Sequence, residues 1–174
     1  EEEKEKRSAI LVDYYRYNLR DYIFNKSNVF DKCETTDYIM ILGITIGMRY
    51  LHKKGICPYL FCPQTILIDE NLFPIISEFE VTPRLLYTDQ AFFPEENKIY
   101  PYYSSIDCEF IPPEQNVFAF SLIVYQIITK NFNFLGKKVN RFGYQKCFSR
   151  GERPNISCIH NKCIRKLLKN CWDR

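Results

Sequence analysis

The chain lacks long apolar runs, a strong net charge and a recognisable disulfide pattern. No apolar run reaches about 18 residues, the length of a membrane-spanning helix, and no signal peptide opens the chain. The formal net charge of the 174 residues is only +3, which predicts no strong field for nucleic acid. The eight cysteines do not form the framework of a small disulfide-bonded domain. We therefore expect a cytoplasmic protein with reduced cysteines and with neither membrane nor nucleic-acid partners.

The composition is that of a folded domain. Hydrophobic residues make up 46% of the chain, which argues against disorder, and 174 residues can enclose one sizeable core. Residues 1–8 are rich in charge and are interpreted as a solvated linker or turn. Residues 9–174 are interpreted as one domain.

One group of residues resembles a metal site. It consists of Cys158, His160, Cys163 and Cys171. Zinc needs four ligands with closely spaced pairs, and no second compact pair follows the first, so structural cysteines are the favoured interpretation. The remaining histidine, His52, lies at the end of an apolar helix, which predicts a packed, hydrogen-bonded side chain rather than a ligand or a base.

A long helix is predicted for Thr36–Lys53, ended by Gly55. Four large side chains recur along it at helical spacing and predict one buried face. These are Ile39, Leu42, Ile46 and Tyr50. Gly43 and Gly47 are poor helix formers, but they allow a neighbouring element to approach closely.

Shorter elements are predicted on both sides of this helix. Residues 9–15 have the apolar pattern of a buried strand, and Asn18 is a suitable N-cap for the short helix that follows. Ile66–Asp69 and Pro74–Ile76 are predicted as two strands of a hairpin, joined by a turn at Asp69–Asn71.

Residues 49–80 resemble the catalytic centre of a protein kinase. Tyr50-Leu51-His52 ends a helix, Gly55-Ile56 turns the chain, and Ile66–Ile68 forms a strand, as in the kinase framework. In that template the loop reads H-R-D-x-x-x-x-N and is followed by D-F-G. The framework is present, whereas nearly every residue that takes part in the reaction is replaced.

The replacements follow from aligning the chain on its framework residues. The H-R-D positions are Pro58, Tyr59 and Leu60, the following lysine is Cys62, the asparagine is Thr65, and the D-F-G positions are Glu78, Phe79 and Glu80. Leu60 has no lone pair to accept a proton, and Cys62 supplies no positive charge. Thr65 carries a hydroxyl in place of an amide. Glu78 keeps a carboxylate and is the candidate metal ligand.

Two further blocks resemble the family in the expected order. Residues 116–129 resemble D-V-[WFY]-[SA]-[FLY]-G-[IVLM] and the apolar helix that follows it, with Asn116 in place of the aspartate and Ser121 in place of the glycine. Residues 151–154 and 164–172 resemble the G-x-R-P and L-[IM]-x-x-C-W segments of tyrosine-kinase-like sequences.

The resemblance covers residues 9–174 and implies a protein-kinase-like fold. We expect a mainly α structure of the α+β class, namely the large helical lobe with a small β-hairpin, incomplete at both ends. In the family order Asp13, Tyr14 and Tyr15 are the hinge, whose backbone would bind adenine. Residues 81–107 take the place of the activation segment, and its A-P-E equivalent stays open between Phe93–Glu95 and Ser105–Asp107.

The family resemblance implies ATP, Mg²⁺ and a protein hydroxyl group as ligands, but the residues themselves predict a different function. Because Leu60 replaces the general base, we expect an interaction or regulatory module without phosphotransfer activity and without a bound cofactor. The alternative is a residual ATP-dependent protein kinase within a longer chain that uses Glu78. Protein partners are expected. Self-association is expected through apolar surface near Leu60, Phe61, Phe79 and Trp172.

Overall fold

The computed structural model describes residues 13–24, 30, 33–77, 102, 112–137 and 141–173. Helices dominate this part of the chain, as predicted, and a small antiparallel sheet accompanies them. The elements in chain order are β1 (Tyr17–Asn18), α1 (Leu19–Phe24), α2 (Glu34–Lys53), β2 (Ile66–Ile68), β3 (Pro74–Ile76), α3 (Pro113–Thr129), α4 (Arg141–Ser149) and α5 (Lys162–Trp172). The sequence did not predict β1 or α4.

The first elements form around Asn18. Its Oδ1 accepts a hydrogen bond from the Asp21 backbone N–H at 3.1 Å, and Asp21 Oδ2 accepts one from the Asn18 N–H at 3.1 Å. Two N–H groups of the first turn are thereby satisfied reciprocally, which confirms the predicted cap of α1. The described end of the predicted strand 9–15 is irregular rather than extended in a sheet.

The predicted hairpin is confirmed and belongs to a three-stranded antiparallel sheet of order β1-β2-β3. Leu67 pairs with Ile75 in the hairpin, and Tyr17 pairs with Ile68 on its other edge. In the predicted turn, Asp69 Oδ1 accepts hydrogen bonds from the backbone N–H groups of Asn71 at 2.9 Å and Phe73 at 2.7 Å. This Asx arrangement fixes the direction in which β3 returns.

The long helix α2 ends as predicted and packs closely on the sheet. It ends at Lys53, and Gly55 then takes a φ of 74°, a conformation that favours glycine. A Cβ atom at Gly43 would lie 2.6 Å from Pro74 Cγ, and one at Gly47 would lie 3.0 Å from Ile76 Cδ1. The two glycines therefore let β3 lie against the helix, as their positions predicted.

The predicted buried face of α2 is wrong. Ile39, Leu42, Ile46 and Tyr50 are all exposed. The side chains that α2 buries form a second set with helical spacing: Thr36, Met40, Ile41, Ile44, Met48 and Leu51. Both sets are apolar, and the neighbouring elements decide which one faces the core.

Helix α3 crosses the middle of the core. It begins at Pro113, three residues earlier than the predicted start, and buries most of its side chains. Lys130, directly after it, has its Nζ 2.5 Å from Asp37 Oδ1 on α2, and the Tyr22 hydroxyl of α1 donates to the same oxygen at 2.9 Å. These bonds connect α1, α2 and α3. None of the helices described is long and apolar enough to cross a membrane.

Candidate functional site

The loop after α2 runs through the interior of the molecule. Leu60 is 2% exposed and both Phe61 and Cys62 are 0% exposed, while Pro58 and Tyr59 are also buried. On the neighbouring side, the Arg20 backbone N–H of α1 donates to the Pro63 carbonyl at 3.1 Å. The template positions of this loop therefore form part of the core.

The expected apolar surface around this loop is therefore wrong for two of its members. Leu60 and Phe61 are buried, and Trp172 is half-buried. The fourth member, Phe79, lies outside the described residues. Leu60 and Phe61 therefore provide no exposed surface for self-association, and the expected self-association stays a prediction.

The hydroxyl group of Thr65 forms its hydrogen bonds with backbone atoms of the same loop. Its Oγ1 lies 2.5 Å from the Leu60 carbonyl oxygen and 3.1 Å from the Cys62 carbonyl oxygen, to which it can donate. The same atom accepts a hydrogen bond from the Cys62 backbone N–H at 3.2 Å. Thr65 is 4% exposed, and its oxygen connects the backbone of Leu60 and Cys62 inside the loop.

Asn116 joins α3 to both ends of the segment before the loop. Its Nδ2 donates to the Pro58 carbonyl oxygen at 2.9 Å, and its Oδ1 lies 3.2 Å from His52 Nε2. Asn116 is fully buried, so both partners replace lost water contacts. The predicted roles of Asn116 as a hydrogen-bonding anchor and of His52 as a packed, hydrogen-bonded residue agree with these contacts.

Pro58 and Asn116 are chemically matched. Proline has no backbone N–H, so a carboxylate at position 116 would find no donor at Pro58 and would face its carbonyl oxygen instead. The asparagine amide supplies the N–H that this carbonyl needs. The uncharged Asn116 therefore suits Pro58, the proline at the first H-R-D position, better than an aspartate would.

The helix α5 is fastened to α3 by a contact that the sequence did not predict. Trp172 Nε1 donates to Ser121 Oγ at 2.7 Å, and Ser121 Oγ in turn donates to the Phe118 carbonyl at 2.5 Å. A glycine at position 121 would offer Trp172 no side-chain acceptor. The signal available in the sequence was the joint presence of this serine and the Cys-Trp pair.

Tyr102 is buried against the same core. It is 3% exposed, its hydroxyl donates to Gln126 Oε1, and its ring lies edge-on to Phe134 with centroids 6.1 Å apart. Burial raises the pKa of the Tyr102 phenol well above its ordinary value, and nearby Cys62 adds to that shift. No pattern in the sequence distinguishes Tyr102 from the other tyrosines around it.

The remaining predicted site residues lie apart from this network or outside the described residues. Asp13 and Tyr14 are exposed, and Tyr15 is half-buried, in an irregular segment that leads into β1. Glu78, with Phe79 and Glu80, lies outside the described residues. The hinge and metal-ligand assignments therefore stay predictions.

The possible metal cluster near the C-terminus is not assembled. Within the residues described, no group of three or more histidine, cysteine, aspartate or glutamate side chains could hold a metal ion. Cys158, His160 and Cys163 are exposed, so these three side chains are not part of the core. Burial raises the pKa of the Cys171 thiol, which disfavours the thiolate that zinc needs.

Comparison with known proteins identifies the family. The family model described as protein tyrosine and serine/threonine kinase matches residues 2–174. The chain belongs to this kinase family. The serine/threonine/tyrosine-protein kinase HT1 of Arabidopsis thaliana is 22% identical over 175 residues, which cover 95% of the chain and 42% of that protein. The chain thus spans less than half the length of this relative.

Two other kinases show similar partial coverage. The ankyrin repeat and protein kinase domain-containing protein 1 of Mus musculus is 23% identical over 145 residues, which cover 75% of the chain and 19% of that protein. A probable receptor-like protein kinase of Arabidopsis thaliana is 30% identical over 76 residues, which cover 42% of the chain and 9% of that protein.

Family membership implies ATP and Mg²⁺ by resemblance, and the described loop residues do not fit the metal ion. Mg²⁺ takes oxygen ligands in near-octahedral geometry. Leu60 and Cys62 offer no side-chain oxygen, and the Thr65 hydroxyl is hydrogen-bonded within the loop. Within the described part of the kinase framework, these template positions supply packing and hydrogen bonds, not a metal ligand.

Proposed function

We propose that the chain is a kinase-like domain without phosphotransfer activity that acts as an interaction or regulatory module. The observation that supports this most directly is the burial of Leu60. In the family template this position accepts the proton of the substrate hydroxyl and must meet the substrate. Leu60 is 2% exposed and carries no proton acceptor, so both its chemistry and its position oppose that role.

The loop around Leu60 supports the same proposal. Phosphoryl transfer depends on metal ions and positive charge held near the phosphates. Cys62, at the lysine position, is uncharged when protonated and is 0% exposed, and Thr65 is 4% exposed. Restoring catalysis would therefore require changes at more than one buried position.

The competing function is ATP-dependent phosphoryl transfer to a protein hydroxyl group. The names of the three relatives favour it, since two describe protein kinases and the third a protein that contains a kinase domain. In that case Glu78 would hold the metal, and the backbone of Asp13–Tyr15 would bind adenine in the context of a longer protein. This function requires both nucleotide binding and an accessible proton acceptor.

Thermal unfolding of the chain with and without MgATP tests nucleotide binding. A ligand at 100 times its Kd stabilises a protein by about 2.7 kcal/mol through linkage, which is easily measured. We expect no magnesium-dependent shift at millimolar ATP and no transfer of the γ-phosphate to generic protein substrates. An active family member treated in the same way provides the positive control.

The variant Glu78→Gln is the matched comparison if a shift is seen. A magnesium-dependent shift that disappears in this variant, together with measurable phosphotransfer, would establish the competing function. A shift without phosphotransfer would leave a nucleotide-binding module, and it would contradict the expected lack of a cofactor.

A further inference from the structure

Helix α5 carries an unbalanced positive charge. Its charged side chains are all basic and follow one another at positions i, i+3, i+4 and i+7: Lys162, Arg165, Lys166 and Lys169. The three lysines are exposed and Arg165 is half-buried. The helix contributes +4 to a chain whose formal net charge is +3, so the rest of the chain carries −1. The positive charge is thus concentrated on one stripe of one helix, which we call the basic face of α5.

The fold does not use the charges of this face. Neither of the two ion pairs among the described residues involves α5. Like charges three or four residues apart destabilise a helix, and a cation in the first turn meets the positive end of the helix dipole. Lys162 has both disadvantages. The helix is packed into the core through Ile164 and Leu168, which do not depend on the lysines. A basic face that packing does not need indicates an anionic partner.

A pocket opens where the basic face ends. It has a volume of about 470 Å³ and is lined by Gly151, Arg153, Lys169, Trp172 and Asp173. The ring of Trp172 is held in place, because its Nε1 donates to Ser121 Oγ at 2.7 Å. Lys169 belongs to the basic face and also to the pocket wall, so the two features form one continuous surface. Asp173 is the acidic residue of the wall and limits the positive charge at this end.

The exposed cations are lysines, which favours carboxylates over phosphates as their partners. The two arginines donate to backbone carbonyl oxygens: Arg165 Nη1 to Ile159 at 2.6 Å, and Arg153 Nη1 to Phe148 at 2.9 Å. Arginine is the residue that binds phosphate with two parallel hydrogen bonds, whereas a lysine ammonium group acts as a point charge. A chain of carboxylates needs only such point charges.

A peptide fits this surface better than a membrane does. A helix that lies on a bilayer inserts apolar side chains, and Ile164 and Leu168 of α5 are buried in the core. From Lys162 to Lys169 the helix rises by about 10 Å, which an extended peptide covers with about three or four residues. The pocket beyond Lys169 can then accept an aromatic side chain of the peptide beside the ring of Trp172.

We propose that the basic face of α5 and the adjoining pocket bind an acidic peptide segment of a partner protein. Carboxylates of the segment meet the lysines, and one aromatic side chain enters the pocket. This inference rests on the proposed interaction role and assigns it a surface and a chemical class of partner. Because the charges are exposed, the affinity should be modest and should fall as the salt concentration rises.

Fluorescence polarisation of a labelled peptide tests the proposal. The probe is a run of glutamates followed by one phenylalanine, titrated with the full chain at about 0.1 M salt, where distant charges are screened. We expect saturable binding that weakens by at least about tenfold when glutamine replaces every glutamate of the probe. Replacing its phenylalanine by serine should weaken binding by about threefold or more, because the pocket loses an apolar contact.

The double variant Lys162→Glu/Lys166→Glu tests the protein side of the contact. It should bind the glutamate probe at least about tenfold more weakly than the wild type. Lys53→Glu/Lys54→Glu is the matched control, because it changes the net charge equally at exposed positions at the end of α2. That control should bind within about twofold of the wild type.

Thermal unfolding of the same variants separates lost binding from lost folding. The variant Lys162→Glu/Lys166→Glu should unfold at the same temperature as the wild type or a higher one. Its new carboxylates remove the like-charge neighbours and complement the helix dipole. Weaker binding by a chain that is at least as stable would identify the basic face as the binding surface.

Several outcomes would overturn this inference. They are no binding of the glutamate probe, equal binding of the glutamine probe, and unchanged binding by Lys162→Glu/Lys166→Glu. Tighter binding of phosphatidylserine vesicles or of double-stranded DNA than of the probe would assign the face to a different class of partner and would overturn it too.

The proposed function is tested independently of this face. None of the outcomes for the peptide would restore phosphotransfer, because the basic face lies outside the loop that carries Leu60. Conversely, phosphotransfer by the wild-type chain would overturn the proposed function, while the expected difference between the two lysine variants would remain.

Discussion

The loop at residues 58–65 and the outer face of α2 differ sharply in exposure, although both carry apolar residues and they are close in sequence. Leu60 is 2% exposed and Leu42 is 59% exposed. The loop is enclosed by α1 through the bond from Arg20 to Pro63 and by α3 through Asn116. Within the described residues, no element covers the outer side of α2, where Ile39, Leu42, Ile46 and Tyr50 are exposed. Burial therefore depends on which neighbours meet a segment, not on how apolar the segment is.

The same comparison shows what holds this part of the kinase framework together. The loop keeps its place because its backbone is tied to α1 and α3 and its side chains fill the core. Leucine, cysteine and threonine at the template positions suit that packing role, since each is compact and Thr65 satisfies nearby backbone groups. The exposed apolar side chains lie instead on α2, among them Leu42 and Ile46.

Introducing the same charge in both regions should give the largest difference in the free energy of unfolding. Leu60→Asp restores the template carboxylate, but it places a charge in the core, and we expect a loss of about 4 kcal/mol or more in the free energy of unfolding. Leu42→Asp should change it by less than about 0.5 kcal/mol, because that side chain is exposed. Urea unfolding at low protein concentration measures both. A stable Leu60→Asp variant with new phosphotransfer activity would contradict the burial of this loop.

Two isoleucines in α2 provide a milder form of the same test. Ile44 is 0% exposed and Ile46 is 59% exposed, only two residues apart. Ile44→Ala should lower the free energy of unfolding by about 2–4 kcal/mol, whereas Ile46→Ala should change it by less than about 0.5 kcal/mol. Denaturant titration of the monomer gives both values. The reverse order would mean that the predicted face of α2 is the buried one.

These two positions also show what the sequence could and could not provide. The helix itself, the glycines that admit β3, the Asn18 cap and the order of the kinase blocks were all predictable from local patterns. The buried face was not, because α2 carries two apolar sets with helical spacing. Only the position of the sheet and of α3 selects between them.

The positions of the site residues could be predicted from the sequence, but their burial and hydrogen-bond partners could not. Alignment with the family located Leu60, Cys62, Thr65 and Asn116. It gave no sign that the Thr65 hydroxyl closes the loop, or that Tyr102 lies against Gln126, because these bonds join residues whose proximity depends on the fold. Local signals do not contain such contacts.

Asn116→Asp tests whether the anchor of the buried loop is matched to its neighbour. The variant restores the family aspartate, but it removes the amide N–H that the Pro58 carbonyl accepts. We expect a loss of about 1–3 kcal/mol in the free energy of unfolding, the range for leaving a buried polar group without a partner. Asn133→Asp is the control, because Asn133 is exposed. An Asn116→Asp variant that is as stable as the wild type would show that the hydrogen bond from Asn116 to Pro58 does not contribute to stability.

Tyr102→Phe should give the smallest effect at neutral pH. The variant keeps the ring that packs against Phe134 but loses the hydroxyl that donates to Gln126. A neutral hydrogen bond contributes about 1 kcal/mol, so a loss of that order is expected in the free energy of unfolding at pH 7. Tyr14→Phe, at an exposed position, should have no measurable effect.

The alkaline behaviour of Tyr102→Phe separates burial of the phenol from its hydrogen bond. Burial raises the pKa of Tyr102 in the folded chain well above the ordinary value of 10.0. Below that ordinary value the phenol is protonated in both states, and its contribution to stability is fully present. As the pH rises through about 10 towards the folded pKa, the unfolded chain releases the proton first, and this contribution is lost.

The phenylalanine variant lacks that loss, so its free energy of unfolding should fall less steeply with alkaline pH than that of the wild type or of Tyr14→Phe. Equal slopes in all three proteins would mean that the Tyr102 hydroxyl is in contact with water and that the enclosed side of the molecule is more open than its contacts indicate.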